Sequence, residues 1–232
     1  MQKKKGIADI TFLIDATGSM QDCIDGLKEN INVFIDKLND RQLPLKEWRA
    51  KIVSYRDFDV DGDDWYTDNS FVTSEAELRA QLSSIEAYGG MDEPESLLDA
   101  LHKLCSNVPF EPSPQEVDAN KWRFRGEAAR VIIIFTDASF HDTIKYPEGE
   151  GGKVADIVDI LQNEGFFTFF FAPALPCYEE LTEVDKCEWE ALDEPFDESL
   201  AALSSDNAAF QDILKAMAKT ISLSAPQETV AL

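Results

Sequence analysis

The sequence predicts an α/β fold: a doubly wound, mostly parallel central sheet flanked by helices on both faces. Three observations carry this. "ADITFLID" (8–15) and "RVIIIFTD" (130–137) are continuous apolar runs that both end in Asp. Unbroken rather than alternating hydrophobicity means a strand covered on both faces, as in a parallel sheet. Amphipathic helical patterns lie between the strand-like runs, and that alternation requires crossover connections.

Taken in order, the first run gives a strand over 8–15. Ile24, Leu27, Ile31, Phe34, Ile35 and Leu38 then recur at three- and four-residue steps, one apolar helix face. "EWRAKIVSYRD" (47–57) reads as a second strand. Ser74 with Glu77 forms a capping-box pattern ahead of "AELRAQLSSIEAY". Pro94 is expected in the first turn of the helix "PESLLDALHKLC", where its missing donor does no harm. After the strand 130–137 comes the helix of "GGKVADIVDILQNEG", stopped by Gly165. "GFFTFFFAPA" (165–174) is a strand closed by Pro173, and Phe210, Ile213, Leu214, Met217 and Ile221 mark a last helix.

The organisation expected is an N-terminal tail (1–7), one domain (8–223) and a frayed C-terminal tail (224–232). Insertions are placed near 108–122 and 176–199, the second strongly acidic. The length of 232 residues suffices for a real core.

A formal charge of −24 excludes a nucleic-acid surface, which needs clustered Lys and Arg, and equally disfavours anionic lipid. The start "MQKKKGIADI" lacks the shape of a signal peptide, and no stretch approaches a membrane span. Cys23, Cys105, Cys177 and Cys187 form no CxxC pair, so free thiols in a reducing cytoplasm are expected. A Cys177–Cys187 bridge is the one alternative that spacing leaves open.

"FLIDATGSM" (12–20) carries the chemistry. A buried strand ends in Asp15, with Thr17 and Ser19 following around Gly18, whose freedom is expected to permit a tight turn. In sheets of this kind ligands gather beyond the carboxyl ends of the strands, so Asp15 and Asp137 are expected to meet there. "AYGGMDEP" (87–94) adds Asp92 nearby. All these groups are oxygen donors, the set a hard divalent cation takes. Mg²⁺ is the first expectation, with Mn²⁺ or Ca²⁺ as alternatives.

Asp15-Ala16-Thr17-Gly18-Ser19 resembles the DxSxS/DxTGS signature of von Willebrand factor type A domains, which forms their metal-ion-dependent adhesion site. "FTDASFH" resembles the later strand-ending Asp of that site. "VSYRDFD" and "YGGMDEPES" resemble segments of bacterial and intracellular members, including those attached to alpha-kinases. The resemblance implies a Rossmann-like fold and direct metal coordination by Asp15, Thr17 and Ser19. It gives Asp137 a direct or water-mediated role. Met91 departs from the threonine many members carry, a thioether being a poor Mg²⁺ ligand, and Asp92 or water is expected to supply that oxygen. The resemblance further implies a non-enzymatic adaptor whose metal is completed by an Asp or Glu of a protein partner.

Other constellations compete with this one. A metal-dependent phosphohydrolase on a Rossmann-like, haloacid-dehalogenase-like core is the alternative for the Asp15 motif. Such enzymes place a second acid two residues on, where this chain has Thr17. Ser139 and His141 follow Asp137 without a GxSxG elbow, and no GxGxxG follows the first strand. His141 is expected as a loop residue at the metal rim. Asp57, Asp59 and Asp61 match the first positions of an EF-hand loop, with Gly62 and Asp68 in phase, and suggest a weak secondary calcium site. In "KWRFRGEAAR" (121–130), Trp122 and Phe124 are expected to pack while Arg123 and Arg125 pair with surface acids.

Overall fold

A computed structural model describes residues 6–43, 45–90, 93–106, 108–109, 117–205 and 207–224. The elements run β1 (Gly6–Asp15), α1 (Gln21–Leu38), β2 (Leu45–Tyr55), α2 (Phe58–Asp61), β3 (Tyr66–Asp68), α3 (Glu75–Ser83) and α4 (Leu97–Cys105). They continue with β4 (Ala129–Phe135), α5 (Val154–Glu164), β5 (Phe167–Pro173), α6 (Pro176–Leu181), β6 (Cys187–Leu192), α7 (Phe196–Ser205) and α8 (Asn207–Ser224). The strands form one sheet of order β3-β2-β1-β4-β5-β6. Every pairing is parallel except β2 with β3.

The strand period of two sorts each central strand between two cores. Ile10, Phe12 and Ile14 of β1 and Val131, Ile133 and Phe135 of β4 pack with α1, α3, α7 and α8. Leu13, Ile132, Ile134 and Phe170 face the opposite layer of α4, α5 and α6. Both faces are therefore covered, as the unbroken apolar runs require.

Several local expectations are corrected. The strand β1 begins at Gly6, inside the expected tail. Ser74 is the N-cap of α3 but its side chain makes no capping bond, and α3 ends at Ser83 rather than near Tyr88. Pro94 precedes α4 and follows a cis peptide; the helix starts at Leu97. The acidic segment 176–199, expected as an insertion, holds α6 and the edge strand β6, which pairs with β5. Its alternation of exposed and half-buried residues is that of an edge, which the acidic composition disguised. Part of the segment 108–122 lies outside the described residues, as does everything after Ser224.

The amino end of the sheet is locked by a buried ion cluster. Asp9, fully buried, accepts from Arg49 Nε (2.8 Å), Arg49 Nη2 (2.7 Å) and the Arg123 amide (2.7 Å). Arg123 also pairs with Glu47, so its partners include a core acid as well as a surface one. Arg125 donates to the carbonyl of Asn163, and Trp122 is buried with its indole on the Leu104 carbonyl (3.0 Å). All four cysteines are free, including Cys177 and Cys187.

Candidate metal centre

The carboxyl ends of β1 and β4 bring the Asp15 motif and Asp137 together. Asp15 is the last residue of β1 and fully buried. Its Oδ1 accepts from the Thr17 amide (2.9 Å) and the Thr17 hydroxyl (2.7 Å). Its Oδ2 accepts from Thr136 Oγ1 (2.9 Å), which sequence reasoning passed over. Thr17 Oγ1 lies 3.5 Å from Ser19 Oγ, and the Ser19 hydroxyl favours the charged form of the Asp137 carboxyl. Four of the five predicted oxygen donors, all but Asp92, thus gather at this edge of the sheet. Asp137 keeps a buried Oδ1 with no partner among the described residues. Met91 and Asp92 lie outside the described residues.

The loops around this group are fastened by Arg56, the residue after β2. Its guanidinium donates to the carbonyls of Ala16 (3.0 Å), Tyr88 (3.0 Å), Glu86 (2.7 Å) and Asp64 (3.0 Å), and it stacks on the Tyr88 ring at 3.8 Å. Arg56 thereby serves as a clamp, because a planar fork can satisfy several carbonyls at once. Gly18 opens a short 3₁₀ turn (Gly18–Met20). Its φ is not in the left-handed region, and an added Cβ would meet only the Gly89 carbonyl at 3.8 Å, so the expected need for glycine there is not seen. The demanding glycine is Gly90, with φ +57°, where a Cβ would meet Glu95 Oε1 and Thr17 Cγ2 at 2.5 Å each.

Charge accumulates here at a cost. Burial, then repulsion from Asp137, raises the Asp15 carboxyl to about 7, against the pull of its Thr17 and Thr136 bonds. Burial also raises Asp137, opposed by the Ser19 hydrogen bond and aided by Asp197 and Glu93. Glu95, only 4% exposed, is pushed up to about 9 by burial and then by Asp15, Asp57, Asp61 and Asp137. One of its oxygens has no partner among the described residues. A divalent cation would relieve this repulsion, and the donors are all oxygen, so the residues fit a hard ion.

The EF-hand pattern is resolved differently. Asp57 caps the single turn α2, accepting from the Asp59 amide (2.7 Å), and Asp61 turns toward Gly90, whose amide is 3.4 Å from Asp61 Oδ2. Asp68 pairs with Lys51 on the neighbouring strand β2. A strand, not a helix, follows the loop, so the twelfth position is pulled into the sheet. The grouping that forms is Asp57, Asp59 and His141, their ligand atoms within 4.8 Å of one another.

Comparisons with known proteins agree with this architecture. Residues 9–113 match the family model of the von Willebrand factor A domain. Over 158 residues, 65% of this chain, the sequence is 29% identical to the alpha-protein kinase vwkA of Dictyostelium discoideum. The chain spans only 23% of that kinase's length. A solved von Willebrand factor type A structure from Catenulispora acidiphila superposes with a TM-score of 0.51 at 14% identity, over 87% of this chain and 43% of that one. No described helix is long and apolar enough to cross a membrane.

Proposed function

We infer that this chain, a von Willebrand factor A-type domain by fold and family match, is a cation-dependent protein-interaction module. In this reading Asp15, Thr17, Ser19 and Asp137 hold a divalent cation, Mg²⁺ in preference to Mn²⁺ or Ca²⁺. Asp92 is assigned as the further acid at the rim. The observation that carries the reading is the linked group Asp15–Thr17–Ser19 within electrostatic reach of Asp137, which keeps an unpartnered buried oxygen. Hydroxyl donors bring no charge, so a bound dication stays attractive to an outside anion. A carboxylate from a partner's Asp or Glu supplies it, and the partner is protein rather than nucleic acid or membrane.

The free cysteines support a reducing, cytoplasmic setting. Residues 8–223, joined by Gly6 and Ile7 of β1, act as one domain, and the chemistry is recognition rather than catalysis. The phosphohydrolase alternative needs a second acid two residues beyond Asp15, where Thr17 stands.

Titration calorimetry with Mg²⁺ and Mn²⁺ tests the site. Binding is expected in the parent and absent in Asp15→Ala; binding that survives this substitution would refute the assignment. Pull-downs in Mg²⁺ and in EDTA, with Asp15→Ala alongside, test the interaction. Partners unaffected by EDTA would refute its metal dependence.

A further inference from the structure

A second set of ligand atoms includes no residue of the Asp15 group. Asp57 is buried, His141 is half-buried and Asp59 exposed, and their ligand atoms lie within 4.8 Å of one another. His141 Nε2 is 3.2 Å from Asp57 Oδ2 and also 3.3 Å from the Lys145 ammonium, which itself pairs with Asp59. These two contacts make opposite demands on one nitrogen. Toward the carboxylate Nε2 must donate; toward the ammonium it must accept. No single tautomer satisfies both.

One metal ion would. The Nε2 lone pair and both carboxylates can then point at the same cation, and the conflict disappears. We propose that Asp57, Asp59 and His141 form a second metal site, for a first-row transition dication such as Zn²⁺, in which the Lys145 ammonium is a tethered substitute cation.

The surroundings support a ligand set held in place. The His141 amide donates to the Glu95 carbonyl (3.1 Å), and Asp57 Oδ1 is the partner of the Asp59 amide and lies 3.5 Å from Ser96 Oγ. Asp99 Oδ1 accepts from the amides of Lys145 (2.7 Å) and Tyr146 (2.6 Å), so the main chain at 145 is fixed while the side chain can leave. The other Asp99 oxygen is fully buried, unpartnered among the described residues and within electrostatic reach of His141. Glu95 Oε2 is also buried and unpartnered among the described residues, in a carboxyl that feels Asp15 first and then Asp57 and Asp61. An imidazole with two carboxylates is a mixed nitrogen and oxygen set, which suits Zn²⁺ and its neighbours better than Mg²⁺. Displacing Lys145 is easy because its pair with Asp59 is solvent-exposed and such pairs contribute little. Three protein ligands leave positions for water, so the site is an open one.

This inference stands without the Asp15 reading, and the test keeps the two apart. In full-length Asp15→Ala protein, Zn²⁺ calorimetry is expected to show one site, and Co²⁺ to give the visible bands of a nitrogen-ligated ion. Adding His141→Ala should weaken Zn²⁺ at least tenfold and abolish the Co²⁺ bands. Asp59→Asn, at an exposed position, should weaken Zn²⁺ severalfold without touching the core. Lys145→Met should tighten it severalfold. Unchanged Zn²⁺ affinity in His141→Ala and Asp59→Asn, or weaker binding in Lys145→Met, would overturn the proposal. Mg²⁺ binding in His141→Ala protein with Asp15 intact reports on the first site alone.

Discussion

Replacing Asp15 by Asn should stabilise the metal-free protein at pH 8 and abolish its response to Mg²⁺. The carboxyl is completely buried and raised from 3.8 to about 7, by burial first and Asp137 second. The folded protein therefore holds this proton more tightly than the unfolded chain does. The resulting stability is fully present below the ordinary carboxylate range and is lost as the pH rises through about 7. About three powers of ten in proton affinity, at about 1.4 kcal/mol each, give an upper bound of about 4 kcal/mol between pH 4 and pH 8. Asn matches the shape. Its Oδ1 can accept both Thr17 bonds, and its Nδ2 meets Thr136 Oγ1, a hydroxyl able to accept. Urea unfolding of parent and variant, in EDTA from pH 4.5 to 8.5, reads the Asp15 contribution together with its coupling to Glu95 and Asp137, which the substitution relieves in the same direction. The difference should grow in favour of the variant toward high pH, reaching about 2–4 kcal/mol, and saturating Mg²⁺ should reverse the order. A difference independent of pH, or a variant less stable throughout, would refute the reasoning.

The remaining expectations concern other parts of the molecule. Asp9→Ala leaves Arg49 and Arg123 buried without their shared anion and should cost about 3–5 kcal/mol in denaturant unfolding, with Mg²⁺ affinity in the surviving folded protein little changed. Thr136→Val strips a hydrogen bond from a buried carboxylate; a loss of about 1–3 kcal/mol at pH 8, smaller at pH 5 where Asp15 carries its proton, should appear in the same measurement. Gly90→Ala meets both a left-handed backbone and contacts at 2.5 Å with Glu95 and Thr17, so calorimetry should show Mg²⁺ affinity falling at least tenfold, whereas Gly18→Ala, with open space at 3.8 Å, should bind almost normally. Thiol titration of the native protein should label Cys177 and Cys187 well before the buried Cys23 and Cys105, the latter two also held as thiols by burial.

Much of this molecule was legible from its residues in order. The four long strands and most helices follow from local periodicity, because an element that buries one or both faces must write that burial into its own side chains. The approach of Asp15 and Asp137 was partly legible: parallel strands present their carboxyl ends at one edge, and the adjacency of β1 and β4 brings Asp137, two residues past β4, beside Asp15. What the sequence could not determine was set by contacts between segments far apart. The short edge strands β3 and β6 carry too little apolar signal to announce themselves, and pairing with β2 and β5 creates them. Thr136 and Glu95 look like ordinary polar residues until the fold turns one onto Asp15 and buries the other among acids. The spacing of Asp57, Asp59 and Asp61 suggested one loop, yet a single helical turn sends Asp61 toward Gly90, and His141, more than eighty positions from Asp57 and Asp59, completed the group. Spacing along a chain fixes which side chains can share a face; only the packed structure decides which of them share a neighbour.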